Sequence, residues 1–411
     1  MNSITWGLCA PATVPSVRRT RSLQLNDTVA RFHQLAVPGL GGVWFARQII
    51  MALQGVSIAR QLDNGTSNIE AANAIEALCC WQGFEQGGQG DARLRGVRKI
   101  KGLNANRVTF NAARKRSFYV TIPMRMGTIE VLPALGLVSP QRSFNAFHCT
   151  ELGEQLVRLE AAQRKVLSSW IADPDQKAPK GLLSPIAPLS LNARQLIRSQ
   201  LQHAGGEADR QRRSAALLWV DRLRQSPPAA IRWDKHPKEI AAGHWHDLQA
   251  GAYFFATRHA ALALLESVES EMAQRSSGMH IDLQLSLPPT LLAAIDAVRQ
   301  PAQAFLALQH HDAAANQFCH ECNQSPAAIL RALVQRDGHI LKLNGEQIDP
   351  GSAFRGAPAD AVATNEEEPV EQPVSQDFWP EHISRRIRNL FTLNLDLQGE
   401  MSDWLEKRRL S

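Results

Sequence analysis

Four prolines within twenty residues, Pro174, Pro179, Pro185 and Pro188 in the stretch IADPDQKAPKGLLSPIAPLS, constrain this chain more than any other local feature. Proline lacks an amide proton and its ring clashes with the preceding turn, so neither a regular helix nor a central strand can run through residues 171–190. A chain of 411 residues suggests two or three domains. Its 44% hydrophobic and 20% charged residues suffice to bury sizeable cores. The stretch therefore reads as a linker. The expected organisation is an arm over 1–24, a basic domain over 25–170, the Pro-rich linker over 171–190, a mainly helical domain with a small β-hairpin over 191–354, a flexible acidic and Pro-rich linker over 355–376, and a docking tail over 377–411.

The local signals are mostly helical. Phe45, Ile49, Leu53 and Val56 recur at spacings of four, four and three, which predicts a helix over 43–62, weakened at Gly55. Ser67 followed by Glu70 has capping-box spacing and opens a second helix that carries Ile69, Ala72, Ile75 and Cys79 on one side. Further helices are expected over 191–202, 207–223, 253–272 and 290–311, the last capped by Thr290 and kinked or split at Pro301. The alternation of Met279, Ile281, Leu283 and Leu285 with polar residues predicts a half-buried strand. Asn344-Gly345, between HILKL and EQI, is a strong hairpin signal. Residues 384–409 are ambiguous between helix and strand, but their apolar content predicts docking. The fold class expected is mainly α with small β elements.

Charge is unevenly spread. The net charge of +6 arises from 45 Lys and Arg against 39 Asp and Glu, and residues 1–120 alone carry a surplus of nine positive charges. The segment RLRGVRKIKGLNANRVTFNAARKR, residues 93–116, holds nine cations and no acid: Arg93, Arg95, Arg98, Lys99, Lys101, Arg107, Arg114, Lys115 and Arg116. Such a run can line a phosphate backbone, where each neutralised phosphate releases condensed counterions. Asn104, Asn106 and Asn111 could add hydrogen bonds to phosphates or base edges. Phe110, Phe118 and Tyr119 suit either stacking on single-stranded bases or core packing. The pattern predicts short strands at Val108-Thr109-Phe110 and Phe118-Tyr119-Val120, and a short helix over 124–135.

Residues 128–159 read TIEVLPALGLVSPQRSFNAFHCTELGEQLVRL. A short helix ending at Leu135-Gly136 precedes a strand at Leu137-Val138, a turn over Ser139–Arg142, a return strand over Phe144–His148, and a helix capped by Thr150. This order, with Leu135-Gly136-Leu137-Val138 and the helix start Thr150-Glu151-Leu152-Gly153-Glu154-Gln155-Leu156, resembles the second half of a winged-helix domain of the MarR and PadR type. The resemblance covers about thirty residues directly. It implies an N-terminal winged-helix-like domain in which Arg125, Gln141 and Arg142 contact nucleic acid, the last two from the wing tip.

Other chemistry is sparse. Cys319-His320-Glu321-Cys322 has the spacing of one side of a tetrahedral zinc site. No second CxxC follows, so Cys149, His310, His311, His339, His244 or His246 would have to complete it through folding. His244-Trp245-His246-Asp247 is expected in a polar loop, where it could supply ligands or a general base. Cys79 and Cys80 read as apolar fillers. No Walker A loop, nucleophile elbow or dinucleotide turn occurs. No cofactor is firmly implied, with zinc as the one candidate.

No run of about 18 apolar residues is present, and the N-terminal charges follow the apolar stretch, the reverse of a signal peptide. These features predict a cytoplasmic, non-enzymatic, nucleic-acid-associated protein. DNA is the favoured polymer over RNA, with a protein partner or homo-oligomer and no membrane association. The alternatives are a structural subunit of a protein assembly and a metal-supported nuclease or nucleotide-processing enzyme.

Overall fold

A computed structural model describes residues 21–160, 164–180, 184–275, 278–356 and 378–409. Among these residues helix dominates and strand is confined to three short segments, as expected of a mainly α chain. The chain divides into two units. The larger comprises Thr28–Phe255 and Ala361–Ser411, the smaller Met1–Asp27 and Ala256–Asp360. No helix among the described residues is long and apolar enough to cross a membrane.

In the larger unit, α1 (Asn26–Ala36) leads to a tightly packed hairpin of α2 (Arg47–Leu62) and α3 (Asn68–Glu85). Nearly every face of α2 and α3 is buried, so both behave as core helices rather than amphipathic surface ones. The capping box forms as expected: Ser67 Oγ accepts from Glu70 N, and the Glu70 carboxylate accepts from Ser67 N. Gly55 has a role that its low helix propensity conceals. A Cβ placed there would lie 2.6 Å from Ala72 Cα and 2.7 Å from Ala72 Cβ, so the missing side chain lets α2 and α3 cross backbone to backbone.

The rest of the larger unit wraps this hairpin. After α3 come α4 (Val97–Ile100), α5 (Phe110–Ala113) and α6 (Val131–Ala134), then α7 (Glu151–Leu159) and α8 (Arg164–Ala172). The two strands expected over Leu137–Val138 and Phe144–His148 amount to one antiparallel bridge, Val138 with Cys149, and Phe144–Ala146 forms a 3-10 turn. Asn68 holds this turn: its amide donates to the carbonyls of Phe144 and Phe147 at 2.9 and 3.0 Å, which favours the 3-10 turn over an extended strand. Thr150 caps α7 as predicted, its side chain accepting from Gly153 N. The expected helix over 124–135 is a 3-10 turn, Met124–Thr128, followed by α6.

The proline-rich stretch lies inside the larger unit rather than between domains. The buried Arg47 guanidinium donates to the carbonyls of Ala187 and Pro188 at 3.0 and 2.9 Å and pairs with Glu160 at 2.9 Å. Proline prevents regular structure there, but the freed carbonyls become acceptors for a core arginine.

Helices α9 (Leu191–His203) and α10 (Glu207–Gln225) follow, and the final segment returns as α15 (Arg385–Gln398) and α16 (Met401–Arg409). The ambiguous tail is thus helical, and it docks. Leu390 and Leu393 are fully buried, Asp396 Oδ2 accepts from Ala46 N at 2.7 Å beside the start of α2, and Arg198 reaches Asn394 at 2.5 Å. Trp219 stacks edge-on against Trp245 and Trp379 in the same core.

The chain leaves the larger unit within α11 (Ala242–Gln274). His244-Trp245-His246-Asp247, expected in a loop, is in this helix. His244 Nε2 bonds Ala36 O at 2.9 Å, Trp245 is core, and Asp247 pairs with Arg212 at 2.7 Å. Burial pushes the His244 pKa down to about 4, so this imidazole is neutral and structural at physiological pH.

The smaller unit contains the second half of α11, then β1 (Ile281–Asp282), α12 (Pro289–Ala307), α13 (Ala313–Glu321), α14 (Pro326–Asp337), β2 (Leu341–Asn344) and β3 (Gln347–Pro350). The sheet order is β1-β3-β2, all antiparallel, and Leu343 and Ile281 both pair with Ile348. The Asn344-Gly345 hairpin forms as predicted, with Gly345 at φ +61°. The strand expected over 279–285 shrinks to two residues. Helix α12 starts one residue before Thr290, because Pro289 fits the first helical position, where its missing N–H costs nothing, and the helix continues through Pro301. Residues 1–20 of the arm and 357–377, most of the expected acidic linker, lie outside the described residues.

The α2–α3 crossing generates a test with a definite sign. Helix propensity alone favours alanine over glycine by about 1 kcal/mol. Overpacking at a backbone crossing costs about 1–3 kcal/mol. Urea unfolding of Gly55→Ala is expected to show a net loss of stability; a gain would mean that the helices do not meet this closely.

Candidate polyanion-docking surface

Between Asp91 and Glu130 the chain carries no acidic residue, and this whole segment folds against α3. Its apolar residues set the geometry. Ile100, Val108, Phe110, Ala113, Tyr119 and Val120 are all buried, and Trp81 Nε1 donates to Leu103 O at 2.9 Å. Phe110 stacks edge-on with Trp170 at 5.8 Å. With these side chains turned inward, the intervening cations turn outward. Arg98, Lys99, Lys101, Arg107, Lys115 and Arg116 are exposed.

Neither expected strand forms in this segment. Thr109 is an N-cap, its side chain accepting from Ala112 N, so Phe110 starts α5 instead of ending a strand. Tyr119 is held by a side-chain bond rather than a ladder: its hydroxyl donates to Glu76 Oε2 at 2.5 Å and accepts from Met124 N at 3.2 Å. Phe110 and Tyr119 are consequently unavailable for stacking on bases, and Phe118 is half-buried.

The remaining candidate cations divide by role. Arg93 is buried, and its guanidinium forks onto Asp91 at 2.9 and 2.7 Å. Arg125, which the resemblance places against nucleic acid, is also buried: Nε donates to Asn73 Oδ1 at 2.6 Å, and the guanidinium lies 5.6 Å from the Phe144 ring. Burial lowers its pKa and Glu76 opposes the shift. Both arginines brace the surface from beneath and do not face solvent. Arg95 is half-buried and donates to Ile122 O at 2.7 Å. Arg114 pairs with Glu70 at 3.4 Å and lies over Phe110. Lys99 donates to Ser117 O at 2.9 Å, tying α4 to the turn that follows Arg116 while its ammonium stays exposed. Gln141 and Arg142 are exposed on the turn after Val138.

Beneath the cations lies a group that residue spacing did not reveal. Glu76, on α3 one turn after Asn73, is fully buried, and only its tertiary partners Tyr119 and Arg125 mark it as special. Burial raises its pKa from 4.5 to about 7, against the opposing effects of the Tyr119 hydroxyl and the Arg125 charge.

The two cysteines with zinc-site spacing lie at the C-terminal end of α13. Cys319 and Cys322 are buried at the end of α13, and burial pushes the Cys319 thiol up to about 12 and Cys322 higher still. Among the described residues no third ligand atom stands within 4.8 Å of this pair. Cys79 and Cys80 are core residues of α3, as expected.

Comparison with known protein families, with characterised proteins and with solved structures finds no match to this chain.

Glu76 supplies a pH test. A carboxyl whose folded-state pKa exceeds its unfolded value contributes stability that is complete below the unfolded pKa and is lost as pH rises through the folded pKa. Relative to Glu76→Gln, the wild type should therefore lose roughly 3 kcal/mol between about pH 4.5 and pH 7 and nothing more above it. Chemical denaturation of both proteins across that range measures this. A difference independent of pH would show that Glu76 titrates as an ordinary carboxylate.

Proposed function

We propose that this chain is a non-enzymatic, nucleic-acid-associated protein that docks on phosphate backbone through the lobe between Asp91 and Glu130. The observation that carries the reading is the exposure of Arg98, Lys99, Lys101, Arg107, Lys115 and Arg116 in a segment with no acid of its own. Among the described residues none of these six makes an ion pair within the chain. Cations held on a packed base, without internal counter-charges, favour a polyanion whose own counterions are released on contact.

Double-stranded nucleic acid, DNA first, fits better than a single strand. Stacking platforms need exposed aromatic faces, and Phe110 and Tyr119 are buried. With Arg125 buried, the reading rests on backbone contact rather than on base reading. Gln141 and Arg142 would add contacts from the neighbouring turn, the part that the winged-helix resemblance assigns to the wing tip. The zinc alternative at Cys319 and Cys322 takes no part in this reading. A second reading, an acidic protein partner, draws on Val97 and Met126, which are exposed apolar side chains within the same segment.

Binding of the purified chain to a short duplex across a salt series tests the proposal. Lys101, Arg107, Lys115 and Arg116 changed together to alanine should weaken binding to all sequences. The log–log salt slope should become shallower by about 3–4, at roughly 0.9 per phosphate contact. Arg114→Ala, which removes a cation already paired, should change the slope little. No duplex binding at low salt, or an unchanged slope in the fourfold variant, would overturn the assignment. Salt-resistant capture of an acidic protein would favour the second reading.

A further inference from the structure

Residues 117–125 are held on α3 by a small set of groups. No helix or strand forms between Arg114 and Pro123. Ser117 opens the segment at φ +68°, a left-handed conformation that is unfavourable for an L residue. Lys99 and Arg95 bond the carbonyls of Ser117 and Ile122, but both belong to the same basic lobe. Among the described residues the hydrogen bonds from this segment to α3 are two, the Tyr119 hydroxyl to Glu76 Oε2 at 2.5 Å and Arg125 Nε to Asn73 Oδ1 at 2.6 Å. Tyr119, Val120 and Met124 add apolar packing.

Glu76 makes this attachment sensitive to its own charge. The carboxyl is fully buried, and its Oε1 has no hydrogen-bond partner. Arg125 attracts it, yet that guanidinium spends Nε on Asn73 and a terminal nitrogen on the Met126 sulfur at 3.3 Å. Backbone N–H groups of Met124 and Arg125 also face the carboxyl. An ionised carboxylate here has given up its water for few bonds, which is costly. The groups that favour its charge, on Tyr119, Met124 and Arg125, all lie within 117–125, so release of that one stretch brings water to Glu76.

The other titratable groups that face Glu76 keep one charge state near neutrality. Burial pushes the Cys80 thiol up to about 12 and raises Cys79 and Tyr119 as well, so all three stay neutral. Arg125 stays charged, as arginine does throughout this range.

We infer that Glu76 is a proton-operated latch: protonated, it keeps residues 117–125 closed on α3; ionised, it favours their release while the α2–α3 hairpin stays packed. The latched stretch follows Arg114, Lys115 and Arg116 directly, so it governs how firmly the end of the cationic run is presented. The inference does not rest on phosphate docking, and its test uses no nucleic acid.

Hydrogen exchange of the full-length protein, corrected for the intrinsic amide rate at each pH, supplies the test. The carboxyl titrates near 4.5 in water and near 7 when closed in. The opening constant of 117–125 should therefore rise with pH between those values and level off above them, by about tenfold from pH 6 to pH 8. These amides should exchange faster than those of α2 and α3 throughout, the mark of local release. In Glu76→Gln the rise should vanish. Tyr119→Phe removes the bond that favours the charged form, so it should move the plateau to higher pH, and it carries the test if the glutamine variant does not fold. An opening constant independent of pH, an equal rise in Glu76→Gln, or release only together with α2 and α3 would each overturn the latch.

Discussion

The larger unit depends on one close approach, Gly55 against Ala72. Helices usually pack through side chains at 8–10 Å between axes. Here the absence of a Cβ at Gly55 brings α2 onto the backbone of α3, which buries almost every residue of both. Core helices of this kind bury polar groups along with apolar ones, and long-range side chains tie the surrounding segments to them. Arg47 holds the proline-rich carbonyls, Asn68 holds the turn at Phe144–Phe147, and Asp396 caps the backbone before α2. Each bond links segments that are distant in sequence, so the hairpin organises the chain around it.

The same hairpin explains the proposed docking surface. A segment rich in arginine and lysine would ordinarily stay loose, because self-repulsion opposes compaction. Apolar residues dispersed through it overcome this by packing into the core that α3 lines, and the buried set of Glu76, Tyr119, Asn73 and Arg125 adds directional bonds. A buried carboxyl beside an arginine is costly unless it is hydrogen-bonded or protonated. Glu76 meets the first condition through Tyr119 and approaches the second near neutral pH.

Local signals proved most reliable where the physics is local. The Ser67–Glu70 capping box, the Thr150 cap and the Asn344-Gly345 hairpin all formed, because each is decided within a few residues by backbone geometry. Thr109 shows the limit: its cap to Ala112 outweighed the strand propensity of Val108-Thr109-Phe110. The exposed cations were legible as a class, because net charge survives any fold, but not as individuals. Arg93 and Arg98 are alike in the sequence, yet one is consumed by Asp91 and the other faces solvent. Arg125 was assigned to nucleic acid by resemblance and lies instead under the surface, beside Asn73.

By itself the sequence determined the mainly helical class, the caps, the hairpin and the presence of an acid-free basic segment. All of these follow from short-range sterics and from charge, which do not depend on partners. Tertiary structure alone decided that the prolines pin a core arginine rather than divide domains, that His244–Asp247 lie in a helix, and that Arg21 sits between Glu269 and Asp337. The physical reason is common to the three. Each turns on a buried polar group finding a partner tens to hundreds of residues away, and periodicity carries no record of such a partner.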